Sequence, residues 1–466
     1  MDWIREIRKH SKYFINDLTG LLQIPSIKNV AESKEGEPFG KEISHALNYM
    51  LELGKREGFR IKNLNGYAGY IEYGPINATE YIGVLCHIDV VPANGEWNHD
   101  PFEPHIEDGK IFARGSSDDK GPTMAAFYAL KQLKKSEIPI KHRIRIIIGT
   151  DEESGMSCMD FYYKQEPPAF FGFAPDARFP IINAEKGQYD LLLDYRLAYE
   201  ASPIHLVSFN AGDKENMVPD KAEAIINGDQ VLAYINALKK EPTSNMNIDK
   251  VENGWKISVI GKSAHGATPF RGKNAAFLLA DTLKEIPFPD AEKNFLQFIT
   301  RVAKGTQGAQ FGIDFQDEQL GGVTVHAGIF KFNNTTGGTI TLNLRYPISA
   351  SKTKIINNVK AVLKAYHIQI TELKEKKPHY VEPTHPGIQL LKEVYEEQTG
   401  EQATLLSIGG ATYARFIASG VAFGAIFPKK TSTAHQVNEY APIEDLYHAT
   451  SIYTESLKRL GNMVIT

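Results

Sequence analysis

The sequence predicts an α/β protein in which a mixed, largely parallel sheet between helices is interrupted by an inserted α+β domain. Three observations carry that expectation. Apolar runs follow one another in strand–helix–strand order over residues 69–149, the order that builds parallel sheets. From about Gly187 the texture shifts to alternating segments suited to antiparallel pairing, and a sheet-like run returns at Val421–Phe427. The length, 466 residues, suits two or three domains at roughly 150 residues each.

In chain order, Trp3, Ile4, Ile7, Tyr13, Phe14 and Leu18 recur at helical spacing and predict one amphipathic opening helix. Gly69–Tyr73 reads as a short strand, and Tyr81–Val91 as a continuous apolar run of the kind that sheets cover on both faces. A helix over Pro122–Leu133 leads to a β-branched strand at Ile144–Gly149, and a further strand-like piece spans Phe171–Asp176. Within the insertion, strands are expected at Tyr189–Leu197, His205–Asn210, Trp255–Gly261, Gly322–Phe332 and Gly337–Tyr346, with helices at Val231–Lys240 and Asn274–Ile286. A strand at Val421–Phe427 and an amphipathic helix at Ile443–Leu460 follow, while Lys374–Lys377 reads as a solvated charged loop. The expected division is one domain in two pieces, 1–186 and 385–466, around an insertion at 187–384.

Composition narrows the functional class. Hydrophobic residues at 42% and charged residues at 23% are globular values, and a net charge of −4 offers no overall basic surface for nucleic acid. No phosphate loop ending in Gly-Lys-Ser/Thr and no Gly-x-Gly-x-x-Gly after a strand argues for a nucleotide. The first 18 residues carry charges throughout, without a secretory apolar region, and no apolar run is long enough to cross a bilayer. Two cysteines, Cys86 and Cys158, are too few for a disulfide framework. A cytoplasmic protein that binds neither nucleic acid nor membrane is the expectation.

Chemistry concentrates where the strand-like runs end. His87 and Asp89, two apart on a strand, share a face near its carboxyl end, where open α/β sheets bind ligands. Asp118 and Asp119 precede a helix with Pro122 in its first turn; alone, that reads as an N-cap beside a favourable helix dipole. Asp151, Glu152 and Glu153 end the next strand, and three adjacent carboxylates repel one another unless a cation or protons compensate. Asp176 and His435 follow two further strand-like runs. Singly, each has an ordinary structural reading. Together, two histidines and several carboxylates without cysteine suit Zn²⁺, with Mn²⁺ or Co²⁺ as alternatives, and shared carboxylates suit a two-metal site with one bridge.

His87–Pro92, Arg114–Pro122, Asp151–Gly155 and Ser263–Gly266 resemble the co-catalytic zinc peptidase and deacylase family, which includes carnosinases, aminoacylases, carboxypeptidase G and acetylornithine deacetylase. The likeness is nearest to its bacterial PepV-like dipeptidases and runs from the first helix to the last. It implies a catalytic domain interrupted by a lid domain, and hydrolysis of short peptides, chiefly dipeptides with a free N-terminus, by a metal-activated water. One metal would be held by His87 and Asp176 and the other by Glu153 and His435, with Asp118 bridging and two zinc ions as cofactors. Glu152 would be the general base, Asp89 would orient His87, and His265 would donate to the oxyanion.

The same resemblance assigns Asn216 and Arg345 to substrate, an arginine fork matching a free α-carboxylate. A strand-edge salt bridge is the structural alternative for Arg345. A cis peptide after Asp118 is implied as well, and His265 is expected to serve its own chain, so a monomer is anticipated with a dimer as the alternative. An N-acyl-amino-acid deacylase of the acetylornithine deacetylase or succinyl-diaminopimelate desuccinylase type is the competing activity. A metal-dependent binding module is the competing class; Asp89, Glu152 and His265 speak against it, since a binder needs no base. Gly409–Thr412 is expected as a loop near the site or a helix entry.

Overall fold

The computed structural model describes residues 2–196, 200–240 and 245–464, so the expected strand end Leu197 lies outside the described residues. The chain forms two compact units. Met1–Ala184, Tyr380–Ser407 and Ala411–Thr466 make the first, Glu185–His379 and Ile408–Gly410 the second.

A nine-stranded sheet organises the first unit. At its centre Arg143–Gly149, Tyr81–His87, Phe171–Ala174 and Gly420–Ala422 lie side by side and parallel. On one flank Ala68–Tyr73 and then Arg60–Leu64 pair antiparallel, and on the other Ile181–Glu185 does. Every position of Tyr81–His87 and of Phe171–Ala174 is buried, which is why their sequences, up to His87, are apolar without alternation. The helix Lys120–Lys135 packs on Tyr81–His87 and Arg143–Gly149 and is itself covered by the helix Ile443–Leu460. Sandwiched in this way, it is buried at each residue from Lys120 to Leu130. Lys41–Arg56 packs on Arg60–Leu64 and Ala68–Tyr73 through Ile43, Leu47, Met50 and Leu51, an i, i+4, i+7, i+8 stripe.

Two expectations for the first unit differ from what is found. The opening helix is two, Trp3–Lys9 and Ser11–Leu22, because His10 leaves helical geometry (φ −110, ψ 14) and caps the first; Tyr13, counted in the apolar stripe, is 65% exposed. Val421–Phe427 is not one strand either. Gly420–Ala422 belongs to the main sheet, whereas Ala425–Ile426 pairs with Ala177–Arg178. Between them Gly424 adopts φ +83, and a Cβ there would lie 2.4 Å from the Phe179 ring, so only glycine makes this exit. A separate three-stranded sheet joins His105–Glu107, Lys110–Phe112 and Tyr440–Pro442.

The second unit is built on an eight-stranded sheet with helices, beside a short two-stranded ribbon of Gln316–Asp317 and Gly321–Gly322. Its order is Met246–Val251, Gly254–Ile260, Lys221–Asn227, His205–Ala211, Thr324–Asn333, Gly337–Tyr346, Gly187–Tyr195 and Ile368–Lys376, paired antiparallel throughout. Gly187–Tyr195 alternates buried and half-buried residues, as a strand with one covered face must. Leu191, Leu193 and Tyr195 share a core with Leu279 and Leu283 of helix Ala275–Leu283 and Phe295, Phe298 and Ile299 of helix Asp290–Val302. Lys374–Lys376 is not a loop but the end of the edge strand Ile368–Lys376, whose exposed charges discourage pairing with a further chain. Among the described residues no helix is long and apolar enough to cross a membrane.

Candidate metal centre

Because the four central strands of the first unit run parallel, their carboxyl ends deliver side chains to one edge of the sheet. His87 is the last residue of Tyr81–His87, Glu152 and Glu153 follow Arg143–Gly149, and Asp176 follows Phe171–Ala174. Asp118 arrives just before the helix Lys120–Lys135, and His435 precedes Tyr440–Pro442 with φ +64.

His87 Nε2 lies 3.0 Å from Asp118 Oδ1 and 3.6 Å from Asp176 Oδ2. His435 Nε2 lies 3.0 Å from Asp118 Oδ2 and 2.9 Å from Glu153 Oε1. The two oxygens of Asp118 therefore face different histidines. Two groups result, His87, Glu152 and Asp176 in one and Asp118, Glu153 and His435 in the other, each with ligand atoms within 4.8 Å of one another. Glu152, read from sequence as a base, thus offers an oxygen to the first group.

Asp89 holds the assembly together. Its two carboxylate oxygens accept the backbone N–H groups of Glu152 and Glu153, each at 3.1 Å, and one lies 3.5 Å from His87 Nδ1. His87 Nδ1 also lies 3.0 Å from the Asp89 carbonyl. Donation there assigns a proton to Nδ1, so that a metal displacing the Nε2 proton would find that lone pair. The neighbouring acids turn away. Asp119 Oδ2 accepts from the His87 N–H and the Thr123 hydroxyl, and Asp151 is taken up by Lys28, Ser154 and Ser157. The Asp118–Asp119 peptide is cis.

Sequence reasoning missed Arg114 and Glu439 as a pair. Glu439 accepts the N–H groups of Ser117 (2.9 Å) and Asp118 (3.1 Å) and the Arg114 guanidinium, fixing the backbone that carries the Asp118 carboxylate. Arg114 lay within a quoted motif, but nothing in the spacing ties it to a glutamate 325 residues away.

The electrostatics are those of a site short of positive charge. Burial opposes a charged His87, yet hydrogen bonds with Asp118, Asp176 and Asp89 outweigh it and hold the imidazolium well above the ordinary histidine value. Burial is likewise outweighed at His435, which Asp118 and Glu153 push up to about 11. Burial and the Asp118 charge raise Glu153 to about 7 and Asp176 to about 6, and burial with the Asp176 charge lifts Glu152 well above the carboxylate range. At Asp118 burial is outweighed by hydrogen bonds with both histidines, and its pKa falls. Protons thus stand in for charge that a divalent cation would supply, and an imidazole–carboxylate donor set without thiolate suits a borderline metal.

The remaining predicted residues lie in the second unit. His265 is exposed, and its Nδ1 accepts the Ala267 N–H at 3.1 Å. Asn216 is exposed, and its carbonyl accepts the Gly266 N–H at 2.7 Å. Arg345, 4% exposed, donates to Asn343 Oδ1 at 3.1 Å and to the Gly409 carbonyl. Thr412 caps the short 3₁₀ turn Tyr413–Phe416 through the Ala414 N–H, the helix-entry reading of that segment.

The site is that of a metal-dependent hydrolase, and comparison with known proteins agrees. The profile of Peptidase family M20/M25/M40 matches residues 83–459. YtjP of Bacillus subtilis (strain 168), which carries a provisional dipeptidase name, is 42% identical over 467 residues, covering 99% of this chain and 100% of its own. The chain belongs to peptidase family M20/M25/M40. Among solved structures, the dipeptidase Dug1p of Saccharomyces cerevisiae gives a TM-score of 0.60 at 14% identity, and human carnosine dipeptidase 1 gives 0.59 at 14%, each over 98% of both chains. At that identity the two structures speak for the fold alone.

Proposed function

We propose that the protein is a dipeptidase that hydrolyses short peptides with a free N-terminus, using two divalent ions, zinc first. The observation that carries the reading is Asp118, whose two oxygens each stand 3.0 Å from a different histidine with a further carboxylate beside each. His87 and Asp176 would hold one ion, Glu153 and His435 the other, and Asp118 both. When bound, the ions would polarise the scissile carbonyl and lower the pKa of water toward neutrality.

Glu152 takes the proton of the attacking water and passes it to the leaving amine nitrogen. Asp89 keeps His87 in one tautomer and fixes the backbone of Glu152, so base and ligand share an anchor. In this reading the first unit is the catalytic domain and the insertion, about 187–384, is its lid. With Nδ1 accepting the Ala267 N–H, the neutral His265 ring carries its proton on Nε2, the form that donates to an oxyanion. Asn216 and Arg345 recognise the substrate carboxylate, and Arg345 exchanges at least one of its present contacts to do so. A single chain suffices.

The test is hydrolysis of a dipeptide panel and of matching N-acetyl amino acids, before and after chelation and after addition of Zn²⁺, Mn²⁺ or Co²⁺. Cleavage of free-amine dipeptides that chelation abolishes and metal restores is expected. Cleavage confined to the N-acetyl series, or turnover untouched by complete metal removal, would refute the reading.

A further inference from the structure

Away from that centre, the described residues contain one more gathering of metal-ligating side chains: His99, His105 and Glu107, each with a ligand atom within 4.8 Å of the others. The strand His105–Glu107 is the edge of the three-stranded sheet, paired through Lys110–Phe112. Side chains two apart on a strand project from one face, so His105 and Glu107 stand together while Ile106 points the other way. His99 comes from the preceding loop and lays its ring on that of His105, centroids 4.0 Å apart and planes at 25°.

Two features separate this group from a chance surface cluster. Among the described residues none of the three side chains has a hydrogen bond or an ion pair; the cross-strand neighbour of Glu107, Lys110, sits over the Tyr440 ring at 4.6 Å instead. The loop bearing His99 is also pinned. The Asn98 N–H donates to the Asn438 side chain at 2.8 Å, the Phe102 N–H to Asp100 Oδ1 at 2.8 Å, and the Arg114 N–H to the Pro101 carbonyl at 2.9 Å. A cavity of about 80 Å³ lined by Trp97, His99, Glu107, Phe112 and Asn438 adjoins the group, room for water on an open coordination position.

We propose that His99, His105 and Glu107 form a separate site for a borderline divalent ion, Zn²⁺ in the first place and Cu²⁺ or Ni²⁺ by the same donor preference. Two imidazoles and one carboxylate are a donor set that holds zinc with a position left open. Metal–donor lengths of about 2.0–2.2 Å set tetrahedral donors roughly 3.3–3.5 Å apart. From within 4.8 Å, that spacing is reached by side-chain rotation, and His99 and Glu107 are both exposed enough to turn. The ion replaces ring stacking with ligation and clips the loop to the sheet edge. It takes no part in the hydrolysis.

The experiment counts zinc by mass spectrometry on the untagged full chain equilibrated against buffered micromolar Zn²⁺, comparing wild type, the double variant H99Q/H105Q and E107Q. One zinc fewer per chain is expected in the double variant and a weakened third-ligand site in E107Q, with dipeptide turnover and circular dichroism as in wild type. Equal zinc in all three proteins at saturation would overturn the proposal. A parallel Cu²⁺ titration followed by electron paramagnetic resonance should give a two-nitrogen signal that H99Q/H105Q abolishes and His435→Ala retains; retention in H99Q/H105Q would equally overturn it. Failure here would leave the zinc and the activity of the first centre unchanged, so the two readings fall separately.

Discussion

Glu439→Gln tests how the fold holds the backbone of Asp118. Glu439 is fully buried and accepts from Arg114, itself 2% exposed, and from the backbone of Ser117 and Asp118. Glutamine keeps the shape and one acceptor oxygen, so an amide contact survives. What it removes is the charge opposite a buried guanidinium whose Nε already has no hydrogen-bond partner. Breaking a buried ion pair from one side costs about 3–5 kcal/mol. At about 2 °C per kcal/mol, the figure for larger domains, the first unit should unfold about 6–10 °C lower. The assay is calorimetry with urea midpoints on Glu439→Gln, Arg114→Met and the double variant. Removing both charges should recover most of the loss, because the cost lies in the unpaired partner. If the two single effects simply add in the double variant, the pair is not coupled and the reasoning fails.

Glu152→Gln should lower kcat about 10²–10⁴-fold with metal content intact, and turnover within tenfold of wild type would remove it as the base. Asp89→Asn should weaken metal binding about 10–100-fold in competition with a chelator, and unchanged affinity would reduce Asp89 to a backbone anchor. His326, 2% exposed, is held neutral by burial, with the Arg345 charge adding to the effect, and its pKa falls from 6.5 to about 4. The unfolded chain takes up a proton that the folded one refuses, so this stability is full above about pH 6.5 and lost as pH falls toward 4. His326→Gln should flatten that slope in urea midpoints, and an unchanged slope would clear His326. Chelation should lower the unfolding midpoint of the first unit while leaving that of the second unmoved, measured by the same calorimetry.

The parallel centre of the first sheet and the antiparallel insertion were legible because burial dictates residue type directly. Tyr81–His87 is buried at every position and runs apolar up to His87 since both faces are covered, and Gly187–Tyr195 alternates since one is. Val231–Lys240, Gly337–Tyr346 and Ile443–Leu460 occupy the ranges read from their periodicity. Helices such as Lys41–Arg56, Asp290–Val302 and Lys352–Lys364 went unread, although each has a buried stripe, because charged residues fill the rest of the turn and dilute the apolar signal. The site was legible for a different reason. Its histidines and acids stand where apolar runs stop, and a polar residue there needs a purpose. Glu439 and Arg114 stayed hidden because their meeting is a tertiary event that neither local sequence announces.

Chain connectivity gives the candidate metal centre a structural consequence beyond the proposed chemistry. His87, Asp118, Glu153 and Asp176 all precede the insertion, and His435 alone follows it. The last parallel strand, Gly420–Ala422, joins the sheet beside Phe171–Ala174 only after the chain has passed through the whole second unit. The 2.9 Å approach of His435 to Glu153 thus closes a loop of 282 residues. Without an ion, that closure sets four carboxylates around two imidazoles and depends on retained protons to limit their repulsion. An ion held as proposed would tie the C-terminal piece to the N-terminal piece by coordination, and at about 100 times its Kd would add about 2.7 kcal/mol to the folded state. On the proposed ligation, the arrangement that makes the centre acidic enough to hold a cation would therefore also make the cation a fastener for a domain that the sequence delivers in two parts.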